Sequence, residues 1–269
     1  MQGLLNRWMP IDASAHGAGL DALNTWLHND MAILFVGWGI YFIYVLFRFR
    51  AKANPKASYE GAHGLLSKCV VGAVVLVEII LLVGFAIPAW GAWVDIPEDG
   101  DIFEVRIVAQ QFAWSVHYPG PDGVFGRTDI NLVDDAIGNN IGLDRNDPAA
   151  KDDVFSLNNL YLPVDREIVV YLTTKDVIHS FSLPQMRVKQ DAIPGMMIPV
   201  HFRAVQTTPL EGRAPECDAN KTCWEIACAQ LCGITHYNMR GFYQVLPQAE
   251  FDAWMADQQV RLGDPRPRL

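Results

Sequence analysis

The stretch CAQLCGITHYNM, residues 228–239, concentrates four soft or borderline metal ligands in one short segment. Cys228, Cys232, His236 and Met239 are separated by three, three and two residues. Thiolates and thioethers select copper or zinc over hard cations such as Mg²⁺. The segment lies between two runs with strand character, WEIA at 224–227 and GFYQVL at 241–246. We therefore predict a soft-metal site in a loop that joins two β-strands.

The choice between zinc and copper depends on the methionine and on the number of cysteines. A structural zinc site is completed by four Cys or His ligands, and it has no use for a weak thioether such as that of Met239. His, Cys and a distant Met are the ligands of a one-copper electron-transfer site, which needs a single thiolate. Two copper ions bridged by both sulfurs would use every ligand in the segment, and they would need a second histidine from a neighbouring strand.

His179 is the candidate for this second histidine. It lies in DVIHSFSLP, residues 176–184, where strand character and aromatic neighbours coincide. A lone histidine in a strand is more often an ordinary core or surface residue. We assign that ordinary role to the histidines that lack this setting, which are His16, His28, His63, His117 and His201.

Two apolar runs predict a transmembrane hairpin. Residues 31–47, MAILFVGWGIYFIYVLF, carry no charge, and residues 69–94 carry only Glu78. Each run is long enough to cross ~30 Å of hydrocarbon as a helix. The alternative is a pair of buried helices in a soluble protein. Residues 48–68 between them contain five Lys or Arg residues and one acidic residue, Glu60, so the positive-inside rule predicts a cytoplasmic loop with both termini on the other side.

The charge is concentrated beyond the hairpin. From Asp95 onward the chain has 15 Lys and Arg against 25 Asp and Glu, a net charge of −10, whereas residues 1–94 sum to +1. An acidic exported domain disfavours nucleic acid and favours a basic partner, although acidity also serves solubility alone. The first residues, MQGLLNRWMP, lack the apolar core of a signal peptide, so we expect no cleaved leader.

The remaining chain predicts an all-β domain. FEVRIV at 103–108 alternates as a strand does, QQFAWSVHY at 110–118 continues it, and further strand runs occupy 154–157, 167–173, 179–183 and 198–202. Residues 119–153 are rich in Gly, Asn, Asp and Pro and predict a long excursion of turns. Many short strands are typical of a sandwich or barrel. We expect an exported segment at 1–29, the hairpin and its loop at 30–95, the β-domain at 96–247, and a C-terminal helix and tail at 248–269.

In its motifs the chain resembles subunit II of the haem–copper cytochrome c oxidases. The matching features are the hairpin, DVIHSFSLP, KQDAIPGM at 189–196 and CAQLCGITHYNMRG at 228–241. The resemblance implies a cupredoxin-like β-barrel that holds a binuclear copper centre, CuA, of two copper ions. The implied ligands are the imidazoles of two histidines, two bridging thiolates, a thioether and a backbone carbonyl, from His179, His236, Cys228, Cys232, Met239 and Gln230.

The function that this resemblance implies is one-electron relay. Cytochrome c would deliver electrons to CuA, and haem in subunit I would receive them for the reduction of oxygen to water. The implied partners are subunit I, other oxidase subunits and membrane lipid, and the implied location is a bacterial-type plasma membrane with the β-domain on the periplasmic side. Since the chain contains no CxxCH motif, we expect the donor to be a separate cytochrome c or a neighbouring cytochrome-containing complex.

Three positions depart from the family pattern or extend it. Gln230 stands where the family usually has a glutamate that helps to bind Mg or Mn at the border with subunit I, and a neutral amide is a poorer ligand for a hard cation. Phe112 stands where many members have the first tryptophan of the region in which electrons enter, and Trp114 is retained. Glu78 lies deeper in the second span than the family's proton-uptake glutamate, and the hypotheses for it are proton uptake or a buried hydrogen bond.

Two cysteines and two other classes of protein remain open from the sequence. Cys217 and Cys223 flank a short polar loop on the oxidising side and form either a disulfide or two free thiols. A quinol oxidase subunit II, which lacks the copper ligands, is disfavoured because every ligand position is filled. A membrane-anchored copper-delivery or zinc-storage protein would explain the ligands, but it would not explain the hairpin or the DVIHSF segment.

Overall fold

The structure is a computed structural model that describes residues 9–56, 59–61, 64–97, 99–209 and 224–262. The chain divides into two compact units, one containing Gly19–Val94 and the other containing Pro10–Ala18 together with the chain from Asp95 onward. The first unit is helical, and the second contains the β-strands together with long turn-rich segments and a C-terminal helix.

Two long helices form the first unit. Helix α1 spans Gly17–Arg48, and a second continuous helical segment comprises α2 (Leu65–Leu81), a π-helical turn (Leu82–Ala86) and α3 (Ile87–Val94). Both segments are long and apolar enough to cross a membrane, and no residue of their most apolar windows is buried. The π-helical turn ends just before Pro88, which has no N–H for the carbonyl four residues earlier. Helix α1 begins at Gly17, within the segment 1–29 that the sequence assigned to a separate exported region.

Among the described residues of the second unit, ten strands form two five-stranded sheets. The strands, in chain order, are β1 Ile102–Gln110, β2 Ala113–Tyr118, β3 Val154–Leu157, β4 Asn159–Pro163, β5 Glu167–Thr174, β6 His179–Leu183, β7 Val188–Ala192, β8 Ile198–Arg203, β9 Glu225–Cys228 and β10 Arg240–Leu246. One sheet has the order β3-β2-β1-β5-β8 and the other has the order β4-β10-β9-β6-β7. The predicted two-helix segment and all-β domain are therefore both present.

The core lies between the two sheets. Trp114 of β2 and Phe181 of β6 are both 0% exposed, and their ring centroids are 5.7 Å apart in an edge-to-face arrangement. The backbone N–H of Tyr161 on β4 donates to the Tyr118 hydroxyl of β2 at 2.8 Å. These contacts join the two sheets through large aromatic side chains, which bury the most apolar area per residue.

The structure corrects the sequence-based strand assignment in three places. The run 110–118 does not continue β1, because the chain turns at Gln111-Phe112 and returns antiparallel as β2. Strand β4 starts one residue after Asn158, whose φ of 59° makes the corner. Strand β7 pairs antiparallel with β6. The sequence did not predict β7, because VKQDA carries charged and amide side chains in a strand that is only partly buried.

The turn-rich excursion 119–153 is ordered by its own contacts. Its short 3-10 turns begin at Asp129, Asp134 and Asp147, each of which accepts a backbone N–H with its side chain. Ile141 and Leu143, with Ala150, form a small separate core. Aspartate suits these positions because its side chain caps a turn locally. The predicted excursion of turns is confirmed.

Helix α4 (Gln248–Leu262) closes the described chain and packs on the β-domain. The Trp254 ring stacks on Tyr161 with a centroid distance of 4.3 Å and meets Tyr118 edge-on at 5.1 Å. Phe251 is 4% exposed and meets Phe103 of β1 edge-on at 5.1 Å. The predicted C-terminal helix is confirmed.

Candidate metal centre

Four elements bring the predicted ligands to one end of the β-domain. His179 is the first residue of β6, and Cys228 is the last residue of β9. These two strands are paired, with Phe181 opposite Cys228. The loop after β9 carries Cys232, and it returns through a 3-10 turn that starts at His236. Sheet pairing therefore joins a histidine and a cysteine that are 49 residues apart.

Cys228 lies among three other potential ligand groups. Its Sγ is 3.9 Å from His179 Nδ1 and 3.3 Å from the carbonyl oxygen of Gln230. The two cysteine sulfurs are 3.8 Å apart, far beyond the ~2.05 Å of a disulfide. Both cysteines are free thiols in this structure.

Cys232 completes the cluster on the other side. Its Sγ is 3.6 Å from His236 Nδ1 and 3.7 Å from Met239 Sδ. Met239 Sδ is also 3.1 Å from His179 Nδ1. His179 is fully buried, whereas Cys232 and Met239 are 4% and 2% exposed. The structure thus brings together all six residues that the sequence nominated as ligands.

The two thiols have opposite pKa shifts. Burial acts to raise the pKa of Cys228, but the His179 imidazole and neighbouring backbone groups outweigh it, so the pKa is lowered. Burial and the adjacent Cys228 sulfur both raise the pKa of Cys232. A second thiolate so close to the first therefore needs nearby positive charge, which a bound cation supplies.

Asp176 is a neighbour of the centre that sequence reasoning missed. Its Oδ1 lies 2.8 Å from His179 Nε2, on the side of the ring that faces away from the sulfurs. Burial acts to raise the pKa of Asp176, but hydrogen bonds from the Gln111 N–H and from His179 outweigh it and lower the pKa. The acid three residues before the histidine in DVIH was the available signal.

Comparison with known proteins identifies the family. The family model described as "Cytochrome C oxidase subunit II, periplasmic domain" matches residues 103–245, which is more than half of the chain. The chain belongs to the cytochrome c oxidase subunit II family. As a subunit II with two candidate membrane helices, it is a membrane-anchored part of a haem–copper oxidase, which is an oxidoreductase. Its domain is the family's copper-associated, cupredoxin-like domain.

Similar subunit II proteins match nearly the whole chain. The chain is 32% identical to "Alternative cytochrome c oxidase subunit 2" of Bradyrhizobium diazoefficiens over 95% of this chain and 85% of that protein. It is 26% identical to "Cytochrome c oxidase subunit 2" of Cereibacter sphaeroides over 88% of this chain and 76% of that protein. The crystal structure of the periplasmic domain of subunit II (CoxB) of Bradyrhizobium japonicum covers 60% of this chain and 95% of that chain, at 26% identity and a TM-score of 0.40.

The two aromatic residues nominated for electron transfer have different environments in this subunit II. Trp114 is fully buried and its ring centroid is 6.2 Å from that of His179. Phe112 is half-buried at the β1–β2 turn. A Cβ added to Gly233 would lie 3.0 Å from Phe112 Cζ, so the ring packs directly against the residue after Cys232.

The remaining nominated residues of this subunit II lie in the helical unit or outside the described residues. Glu78 is exposed on α2, and its carbonyl accepts the N–H of Leu82 at the start of the π-helical turn. Cys217 and Cys223 lie outside the described residues.

Proposed function

We propose that this subunit II holds two copper ions and relays single electrons from a cytochrome c to haem in subunit I. The observation that carries the proposal is the convergence of two thiols, two imidazole Nδ1 atoms, a thioether and a carbonyl, with the two sulfurs 3.8 Å apart. Held by these groups, two copper ions would supply a one-electron redox centre.

The residues present fit such a pair of ions. The donor set is soft, which favours copper over hard cations. Cys228 and Cys232 would hold the ions through their thiolates, and His179 and His236 each present Nδ1 to a different sulfur. Met239 and the Gln230 carbonyl provide the weaker ligands. The filled ligand set disfavours a quinol oxidase subunit, and Gln230 disfavours a second Mg or Mn site.

The protein around the centre buries three of the six proposed ligand residues. His179, Cys232 and Met239 are almost wholly buried, so water does not compete for them. Phe112 is half-buried against Gly233 and is accessible to a docked donor, whereas Trp114 packs internally beside His179. We propose that electrons enter near Phe112, with Trp114 as the interior aromatic contact.

The proposed location is a bacterial-type plasma membrane with the β-domain in the periplasm. The five basic residues of 48–68 support a cytoplasmic loop between the two helices. The acidic β-domain supports a basic donor, either a soluble cytochrome c or a neighbouring cytochrome-containing complex. Subunit I and other oxidase subunits are the proposed assembly partners.

Metal analysis and electron spin resonance of the full chain test the copper proposal. We expect two copper ions per chain and a mixed-valence signal with the unpaired electron shared over both. Cys228→Ser should abolish the shared signal, whereas Cys69→Ser in the second helix should leave it unchanged. A single zinc per wild-type chain, or copper without a shared electron, would contradict the proposal.

We also propose that Glu78 takes part in proton uptake by the assembled oxidase. A carboxylate in a membrane helix is expensive and usually serves the protein interior or a proton path. Glu78→Gln should slow turnover and lower the proton-pumping ratio, because the amide cannot carry a proton. Glu60→Gln, in the loop between the helices, is the matched control. Unchanged turnover and pumping in Glu78→Gln would refute the role.

A further inference from the structure

We propose that Asp176 is a positioning residue that fixes the His179 imidazole for metal binding and ties it to the loop of Cys232. The inference rests on the proposed copper centre and concerns the groups behind the ligands. It assigns a role to a carboxylate that touches no proposed metal position.

The contact between Asp176 and His179 determines which ring nitrogen is free. Asp176 Oδ1 is 2.8 Å from His179 Nε2, and the His179 side chain is fully buried while that of Asp176 is 29% exposed. A carboxylate can only accept, so the imidazole donates from Nε2 and carries its lone pair on Nδ1. Nδ1 is the atom that faces Met239 Sδ and Cys228 Sγ.

Asp176 is itself held in one orientation. Its Oδ1 also accepts the Val177 N–H at 2.7 Å, and the Thr174 hydroxyl lies 3.2 Å away. Its Oδ2 accepts the Gln111 N–H at 2.6 Å. With both oxygens engaged, the carboxylate cannot rotate freely, and it transmits that rigidity to the ring.

The same support reaches the cysteine loop through Gln111. Gln111 Nε2 donates to the Cys232 carbonyl oxygen at 2.5 Å, while its backbone N–H binds Asp176. The β1–β2 turn therefore connects the first residue of β6 to the loop after β9. This link joins ligands that no sheet hydrogen bond connects.

Removing the carboxylate should weaken the centre in a defined direction. A hydrogen bond from a ligand imidazole to a carboxylate raises the basicity of the ligand, and loss of such a partner costs about 10- to 100-fold in metal affinity. A more basic ligand and a nearby negative charge favour the more positive, oxidised centre. Replacement of Asp176 should therefore raise the reduction potential.

The test compares Asp176→Ala, Asp176→Asn and Asp135→Asn in the full chain. Asp135 is the matched control because it pairs with Lys175 at 2.8 Å, next to Asp176 in sequence, and is 56% exposed. The readouts are copper retention against a competing chelator, the reduction potential, and ¹⁵N resonances of the His179 ring in the copper-free chain. These readouts distinguish a role of Asp176 in positioning the His179 ring from a contribution of Asp176 to folding alone.

We expect Asp176→Ala to retain copper about 10- to 100-fold less tightly, with a higher potential and a mixture of ring tautomers. Asp176→Asn keeps an acceptor oxygen and should lose less affinity, yet it should also raise the potential because the charge is gone. Asp135→Asn should match the wild type. If Asp176→Asn had the same reduction potential and the same His179 ring tautomer as the wild type, the inference would be overturned. This comparison holds even if Asp176→Ala does not fold. Wild-type chain without two coppers contradicts the proposed function instead, and the copper-free tautomer measurement still decides the role of Asp176.

Discussion

His117 and Asp153 form a buried pair that anchors the excursion to the sheet. His117 Nε2 is 2.5 Å from Asp153 Oδ2, and the two side chains are 1% and 0% exposed. The same carboxylate oxygen accepts the Gly126 N–H at 2.8 Å. Burial lowers the pKa of His117, and this outweighs the opposing effect of Asp153. A neutral imidazole therefore donates to the carboxylate and holds both ends of the excursion.

The lowered pKa of His117 predicts that stability falls in mild acid. Below about pH 6.5 the unfolded chain binds a proton at His117 that the folded chain does not bind. The free energy of unfolding therefore falls by up to about 1.4 kcal/mol for each pH unit of acidification. Stability is thus full above the unfolded pKa and declines as pH falls towards the folded pKa. Thermal unfolding of the full chain at several pH values measures the slope. His117→Gln should be less stable than the wild type at neutral pH, but its stability should fall less on acidification. If stability fell equally with pH in both proteins, the pH dependence would not come from His117.

The cluster of proposed ligand residues could be predicted from the sequence, but the groups that support it could not. Cys228, Cys232 and Met239 are rare residue types whose spacing carries a chemical signature. Asp176 is a common residue whose role depends on the turn that places it behind His179. His117 was assigned an ordinary role from the sequence, and the buried pair with Asp153 became visible only when β2 and the end of the excursion were placed together.

At the scale of elements, helix α4 is held by one aromatic cluster. The Trp254 ring covers Tyr161 and Tyr118 at the edge of the core. Aromatic contacts of this kind stabilise a structure by more than the area that they bury would alone. Phe251 of the same helix extends this cluster, since it is 4% exposed and meets Phe103 edge-on.

Trp254→Ala should therefore loosen α4 and destabilise the protein by about 3 kcal/mol, because a large partly buried ring is lost. Asp252→Ala, at an exposed position of the same helix, should change the free energy of unfolding by less than about 0.5 kcal/mol. Unfolding of the purified full chain with denaturant gives both values. Equal stability of the two variants would show that the cluster does not hold the helix.

Element prediction succeeded where hydrophobic alternation was strong and failed where a turn was hidden. Strands β1, β5 and β8 have alternating or apolar patterns that the sequence displays directly. The turn at Gln111-Phe112 contains no Gly, Pro, Asn or Asp, so nothing in its composition signals a reversal. Only Asn158 separates strand β3 from strand β4, so the sequences of the two strands form one irregular run.

For the whole molecule, residues 10–18 belong to the β-domain although they precede the first helix. Ser14 forms a β-bridge with Ala204, and the Val205 N–H donates to the Ala13 carbonyl at 2.8 Å. The Ala13 N–H donates to Gln185 O at 2.8 Å. Ala13 is 0% exposed, so the segment is part of the folded domain.

Ala13→Glu should destabilise the β-domain by about 3–5 kcal/mol, because it places an unpaired charge in a buried position. Ala15→Glu is the matched control, since Ala15 is exposed on the same segment. Thermal unfolding of the full chain in detergent distinguishes them. If both variants melted together with the wild type, the segment would not contribute to the folded domain.

The bridge between Ser14 and Ala204 imposes a parity rule on insertion of the chain. One partner precedes α1 and the other follows α3, so they can meet only if the intervening polypeptide crosses the bilayer an even number of times. A molecule in which one helix failed to insert would strand the two partners in opposite compartments. Correct topology is therefore a precondition for the bridge between Ser14 and Ala204, and a chain with a single crossing would lack it.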